Sequence, residues 1–533
     1  LPHEGHEDDE GHEDMKHVLA AAKFGFFVCF AFFVVSVVSV GGAAAATCES
    51  IAALALPNAK VTVAQQVAPG AFTPPGSTGT VAPVFARLPT FCRVTATLTP
   101  STDSDVKIEV WLPASGWNGK FQAVGNGGWN GNIPYPALAS AVLRGYATAA
   151  TDTGHVGNTA SFALGHPEKL IDFGYRAVHE MTVKAKSIID AFYGSMPTLS
   201  IFNGCSQGGR QGVTEAVRYP TDFDGIIAGA PAVNFVHLHA GRVALNRSVN
   251  ATPASVIPAS KYPLIHQAVL AACDAKDGVA DGVLENPGAC SFDPKVLQCS
   301  AHENSTCLSA AQVESARRMY AGAKHPSTKV PVLPGLAPGA ELGWNVLGGP
   351  QPLSLAVDTF KYVFMKDRTW EASRFNAGID IDVAFASDLD DALGSTNTDL
   401  RPFFARGGKL LMYHGWSDPQ VTPYNTINFF HRVLATQGGA GAGTSMQLYM
   451  VPGMNHCAGG PGTDVFDKVA AMEEWIRTGS APARIDAARM SNGVVERTRP
   501  LCPLGQVARW NGSGSTDDAA NFACVASTVS STR

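Results

Sequence analysis

Two hydrophobic periods alternate along the chain and place most of its elements. Residues 106–112 (VKIEVWL) put apolar side chains on every second position, the period of a strand, and 120–124 (KFQAV) follows as another. A third apolar run, 145–150 (GYATAA), also reads as a strand. Between 175 and 193 the spacing changes. Val178, Met181, Val183, Ala185, Ile188, Ile189 and Phe192 recur at helical intervals. A short strand at 199–203 then runs into Gly204-Cys205-Ser206-Gln207-Gly208, a helix at 211–218 is stopped by Pro220, and 225–228 is the next strand. Strand and helix in alternation predict an α/β fold with a mainly parallel sheet, whose active residues sit at the carboxyl ends of strands.

The alternation stops at about residue 233. From 233 to 400 the sequence is loop-rich, with four cysteines and proline clusters at 331–338 and 349–352, which predicts an inserted lid domain. Sheet-like sequence resumes at 409–413 (KLLMY) and 446–451, followed by a helix at 464–478 and a cysteine-bearing tail. The core is thus expected in two parts, 47–232 and 401–533. The first residues stand apart. Residues 1–14 are acidic, with His3, His6 and His12 among carboxylates, and read as a disordered extension. In 15–46, Lys16 and Lys23 form a short positive region before an apolar run, 24–40, and Ala44-Ala45-Ala46 follows it. That is the pattern of a secretory signal peptide cleaved before Thr47; a retained membrane anchor is the competing reading.

Composition narrows the function classes. A net charge of −6 over 533 residues gives no basic surface for nucleic acid or anionic membrane. Of 11 cysteines, Cys29 lies in the signal segment and ten remain, an even number that suits a disulfide framework in a secreted or periplasmic protein. Nearest-neighbour pairing gives Cys48 with Cys92, Cys273 with Cys290, Cys299 with Cys307 and Cys502 with Cys524. Cys205 and Cys457 are left over, and sequence does not prove any of these connections.

The leftover cysteines flank the candidate chemistry. Gly204–Gly208 matches G-x-S-x-G, a strand-to-helix elbow that lifts a serine hydroxyl out of the fold. Asp418 follows a strand in His414-Gly415-Trp416-Ser417-Asp418-Pro419, and His456 lies after the next strand, in Pro452-Gly453-Met454-Asn455-His456-Cys457. Serine, aspartate, histidine is the chain order of α/β-hydrolases. Ser206 would be the nucleophile, His456 its base and Asp418 the residue that orients the imidazole. Taken singly, Asp418 also suits a turn before Pro419, and His456 a buried polar contact. The backbone N–H of Gln207 is the expected first oxyanion donor. The loop Gly125-Asn126-Gly127-Gly128 is the expected source of a second, at Gly128, although glycines there also serve a plain turn. In the inserted segment, Asp274, Asp277 and Asp281 are spaced with glycines in a way that suits a hard cation or a solvated acidic turn. Phe364, Trp370 and Phe375 are candidates for an acyl pocket or for core.

GCSQGG, HGWSDP and PGMNHCAGGPGTD together resemble the tannase and feruloyl esterase family of α/β-hydrolases, over essentially 48–524. The resemblance implies an α/β-hydrolase fold with a lid, a triad of Ser206, Asp418 and His456, and a Cys205–Cys457 disulfide beneath it. It also implies a structural Ca2+ held by the carboxylates of Asp274, Asp277 and Asp281 and the carbonyls of Val279 and Val283, with no organic cofactor. The implied activity is hydrolysis of small aromatic acid esters, feruloyl-esterase-like, with tannase and mono-hydroxyethyl terephthalate hydrolase as alternatives within the family. The terephthalate enzymes hold a substrate carboxylate with a lid arginine. Arg368 is the nearest candidate, but its surroundings, PLSLAVDTFKYVFMKDRTW, differ. A catalytically inactive binding protein and a peptidase are the readings from other classes.

Overall fold

In the computed structural model, residues 46–79, 82–387, 390–438 and 444–527 are described. The acidic extension 1–14 and the signal segment 15–46, apart from Ala46, lie outside the described residues. Nine strands form one sheet: β1 (Ala59–Val67), β2 (Phe91–Leu98), β3 (Val106–Pro113), β4 (Lys120–Val124), β5 (Ala147–Thr151), β6 (Leu199–Cys205), β7 (Gly225–Gly229), β8 (Lys409–Gly415) and β9 (Met446–Val451). Their spatial order is β1-β2-β3-β5-β4-β6-β7-β8-β9. The first four in that order pair antiparallel and the rest parallel, so β5 is where the sheet changes sense. This is an α/β-hydrolase sheet, and β6, β8 and β9 all end on the same edge.

Both faces of the sheet are covered, which is why its parallel strands read as continuous apolar runs. On one face Val178, Met181, Ala185, Ile188 and Ile189 of the helix Ala177–Tyr193 pack against β2–β6. On the other, Met472 and Trp475 of the helix Lys468–Thr478 pack on Leu411, Tyr413 and Tyr449. The strands β7 and β8 pair in register Ile226 to Leu410, so residues more than 180 positions apart are adjacent hydrogen-bonded neighbours. The chain's last part docks on the far strand: Leu504 N–H donates to Leu448 O at 2.7 Å, which covers part of the β9 edge.

Residues 233–400 are more helical than their sequence pattern predicts. They contain helices Phe235–Val249, Tyr262–Cys273, Ala310–Ala321 and Ala377–Ala386. Their aromatic side chains form a separate cluster around Phe360, which stacks on Trp370 at 5.0 Å and meets Phe364 and Phe375 edge-on. Phe364, Trp370 and Phe375 are thus core or core-flanking residues. The cluster also takes in Trp129, Phe173 and Ala160 from before residue 233. Five disulfides staple the chain, at 48–92, 205–457, 273–290, 299–307 and 502–524. Among the described residues no helix is long and apolar enough to cross a membrane.

Candidate active site

Ser206 stands between β6 and the helix Gln207–Arg218 with φ 63° and ψ −121°. A residue with a Cβ held there carries strain on the order of 1–3 kcal/mol, which persists only where the surroundings enforce it. The enforcement here is backbone. Ser206 N–H donates to Gly229 O at 2.8 Å, at the end of β7, and Ser206 O accepts from Arg210 and Ala232. The flanking glycines are sterically required. A Cβ on Gly204 would lie 2.5 Å from the carbonyl of Gly208, and one on Gly208 would lie 3.0 Å from Asn126 O. Strand, strained serine and helix make the elbow that the motif requires.

The turn after β8 carries Asp418 and the loop after β9 carries His456. These two loops are zipped together, with Ser417 N–H donating to Met454 O at 3.0 Å. Asp418 Oδ2 accepts from His456 Nδ1 at 2.7 Å. The donated Nδ1–H leaves Nε2 of His456 as the acceptor nitrogen. Asp418 is fully buried, while the His456 side chain is 14% exposed. Burial pushes the Asp418 carboxyl up. The charge of His456 and the hydrogen bonds of His414 and His456 outweigh it, and hold the group well below the usual carboxylate range. Oδ1 also accepts the N–H groups of Gln420 and Val421 at 2.8 and 3.0 Å.

A disulfide ties the elbow to the His456 loop. Cys205–Cys457 joins the residue before Ser206 to the one after His456, with Cα atoms 6.0 Å apart. Consecutive Cα atoms are about 3.8 Å apart, so the Cα atoms of Ser206 and His456 lie within about 14 Å of each other. Cys457, like Ser206, has positive φ, at 66°.

The glycine loop after β4 is held against the elbow helix. Asn126 N–H donates to Gln211 Oε1 at 3.0 Å, and Gln211 Nε2 donates back to Asn126 Oδ1 at 3.1 Å. This fixes Gly127 and Gly128 beside the N-terminus of the helix that begins with Gln207. Gly128 has φ 49°, and a Cβ there would lie 3.1 Å from Leu355 Cδ2. The Gln207 side chain faces inward and accepts from Arg210 Nε at 2.9 Å.

The acidic loop folds on itself. Asp274 Oδ2 accepts from Gly282 N–H at 2.9 Å, Asp277 Oδ1 from Val279 N–H at 3.0 Å, and Asp281 Oδ1 from Val283 N–H at 3.2 Å. Asp274 Oδ1 is buried without a hydrogen-bond partner. The Asp277 carboxyl is pushed up to about 6 by burial, with Asp281 and Asp274 adding to the rise against backbone hydrogen bonds from Val279 and Glu285. Asp281 Oδ2 already meets Arg499 and, at 3.2 Å, Arg497. Among the described residues, the His, Asp or Glu group whose ligand atoms all lie within 4.8 Å of one another is elsewhere: His179, Glu215 and Asp222.

Sequence reasoning passed over His414, which is fully buried under the site. Its Nε2–H is shared between Val421 O at 2.8 Å and Asp418 Oδ2 at 3.0 Å, and its Nδ1 lies 2.8 Å from Thr426 Oγ1. The four-residue step from His414 to Asp418 was the available signal. Arg368 is solvent-exposed.

Comparison with known proteins identifies the family. A family model described as tannase and feruloyl esterase matches residues 92–348 and 354–525. An uncharacterised esterase of Xanthomonas campestris pv. campestris is 39% identical, over 90% of this chain and 92% of its own length. The mono(2-hydroxyethyl) terephthalate hydrolase of Piscinibacter sakaiensis is 34% identical, over 83% of this chain and 86% of its own. The crystal structure of feruloyl esterase B from Aspergillus oryzae superposes with a TM-score of 0.82 at 29% identity, covering 90% of this chain and 99% of that one. The chain belongs to the tannase and feruloyl esterase family and is a carboxylic ester hydrolase.

Proposed function

We propose that the protein is an exported serine esterase that cleaves esters of aromatic, hydroxycinnamic-type acids through an acyl-enzyme on Ser206. The observation that carries this reading is the 2.7 Å Asp418–His456 hydrogen bond, covalently tethered beside a strained elbow serine. His456 Nε2 takes the Ser206 proton as Oγ attacks the ester carbonyl. Asp418 stays anionic and stabilises the imidazolium. The oxyanion is met by the N–H of Gln207, with Gly128 as the second donor. His456 then protonates the leaving alcohol, and water, deprotonated by the same nitrogen, releases the acid and restores Ser206. The relatives named feruloyl esterase support the aromatic acyl group. Five disulfides support export to an oxidising compartment.

The acidic loop is assigned to Ca2+ as a structural ion. The orphaned Asp274 Oδ1 and the uncompensated Asp277 support a hard cation, with Asp281 and the carbonyls of Val279 and Val283 completing an oxygen set. The ion would neutralise the loop and take no part in ester cleavage.

A rate panel tests the reading. With methyl ferulate, methyl gallate and mono(2-hydroxyethyl) terephthalate, kcat/KM is expected to be highest for ferulate, and Ser206→Ala is expected to lose at least about 10⁴-fold on it. An unimpaired Ser206→Ala would overturn the mechanism; a preference for gallate or terephthalate would overturn the substrate class alone.

A further inference from the structure

A buried hydrogen-bonded bridge crosses from the glycine loop to the Asp418 turn through the helix Phe235–Val249. Trp129, the residue after Gly128, donates its Nε1–H to Thr359 Oγ1 and to Leu355 O, both at 3.3 Å. Thr359 Oγ1 lies 2.9 Å from His239 Nδ1 and 2.7 Å from Leu355 O. His239 Nε2 lies 3.4 Å from Arg242 Nη1. Arg242 places both Nε and Nη2 on Gln420 O, at 3.1 and 2.9 Å. Gln420 N–H in turn donates to Asp418 Oδ1 at 2.8 Å.

The chemistry of the donors fixes every proton in this bridge. A guanidinium only donates, so His239 Nε2 must accept. The neutral imidazole then carries its proton on Nδ1 and gives it to Thr359 Oγ1. The threonine hydroxyl proton is left for Leu355 O. Trp129, Thr359, His239 and Arg242 are buried, and burial, with the charges of Arg242 and Arg210, holds His239 well below its usual value and hence neutral. His239 and Arg242 are three apart on one helix and so share a face.

We propose that Arg242 is a positioning residue for Asp418, and that His239 and Thr359 extend its hold to the loop bearing Gly128. This rests on the reading of Asp418 as the triad acid. The two-pronged grip on Gln420 O fixes the turn whose N–H groups hold Asp418 Oδ1, opposite to His414, which holds Val421 O and Oδ2. Arg242 also acts through its charge. Burial lowers its pKa to about 10, against the stabilising carboxylate of Asp418. As the cation nearest that carboxylate along the bridge, it opposes the imidazolium of His456, whereas His239 is held as a neutral donor and acceptor.

Two variants separate position from charge, with kcat, KM and the pH profile of kcat/KM as readouts. Arg242→Lys keeps the charge and loses the fork. Its kcat is expected to fall about tenfold with KM within about twofold and the acid limb of the profile in place. Arg242→Met loses both, so kcat falls further and the acid limb moves to higher pH by at least about half a unit. A purely structural role would not move that limb. Thr359→Val, far from Asp418 and nearly isosteric, is expected to lower kcat about threefold, and to lose that effect when combined with Arg242→Lys. The proposal is overturned if folded Arg242→Met keeps the parent kcat and acid limb. If Arg242→Met does not fold, additive effects of Arg242→Lys and Thr359→Val overturn it. An active Ser206→Ala would instead remove the triad reading on which it rests.

Discussion

Replacing Cys205 and Cys457 together by alanine removes a cross-link that closes 252 residues. In the chain-entropy account, a loop of that length contributes about 5.5 kcal/mol, because the logarithm grows slowly with loop size. The nested 273–290 and 299–307 bonds shorten the effective loop by too little to change this. Unfolding entropy of about 2.1 cal/mol/K per residue over the described chain converts the loss to a fall in Tm of about 5 °C. Position is the more consequential part. Ser206, next to Cys205, and Cys457 itself both hold positive φ, at 63° and 66°, and each strained residue relaxes if its partner loop shifts. A displacement of about 1 Å between nucleophile and base costs about 100-fold. The double variant is therefore expected to lose about 10- to 100-fold in kcat on methyl ferulate at 20 °C, well below its transition, with KM little changed. Circular dichroism and thermal melts on the same samples establish folding. A folded double variant whose kcat stays within twofold of the parent refutes the positional argument and leaves the bond as a staple only.

Four further outcomes are expected. Asp418→Asn, which strips the charge from beneath the imidazole, should lower kcat by about 10⁴ with the fold intact, read by steady-state kinetics and far-UV spectra. His414→Asn should lower kcat about tenfold without a matching rise in KM, since Asp418 Oδ2 keeps His456 but loses its second donor. Glu215 is held protonated chiefly by burial, with the charge and hydrogen bonding of Asp222 adding to it. A carboxyl with a raised folded pKa loses stability as pH climbs above its unfolded value, here 4.5, so Glu215→Gln should gain Tm relative to the parent at pH 7 and show no gain at pH 4. Chelation with EDTA should lower Tm and leave the kcat of the still-folded enzyme unchanged. Ca2+ at about 100 times its Kd should restore about 2.7 kcal/mol; an unshifted melting curve would remove the ion from the Asp274–Asp281 loop.

The parts of the site that the sequence makes legible are those whose geometry is local. Gly204 is required by a contact inside five residues, with Gly208, so a pentapeptide announces the elbow, although Gly208 itself is required by the distant loop at Gly125 and Asn126. The four short disulfides follow from neighbouring cysteines because loops of 8 to 44 residues close readily. The elbow helix starts at Gln207, four residues earlier than its apolar spacing predicts, because its first turn is glycine packed on β4 and β7. β1 gives little alternating signal, since only Val61 and Val67 of its nine residues are buried. His414 is hidden for another reason: its partners, Asp418, Val421 and Thr426, are polar groups, and hydropathy does not register a histidine satisfied by them.

The helix Phe235–Val249 shows why residues 233–400 resist reading while the core does not. Twelve of its fifteen residues are buried, including His239, Arg242 and Asn246. A helix surrounded by protein needs no polar stripe, so its amphipathic period vanishes. The polar residues in it are there because other loops need them: Asn246 donates to Leu347 O and Gly349 O, and Arg242 to Gln420 O. An apolar residue at position 242 would improve the helical pattern and leave the Gln420 carbonyl without its two donors, at a cost of about 1–3 kcal/mol for the buried group. The departure from pattern is thus a consequence of hydrogen bonds made to loops distant in sequence. On the proposed reading of Asp418, the same segment positions the triad acid, and it does so with the residues that make it look like loop.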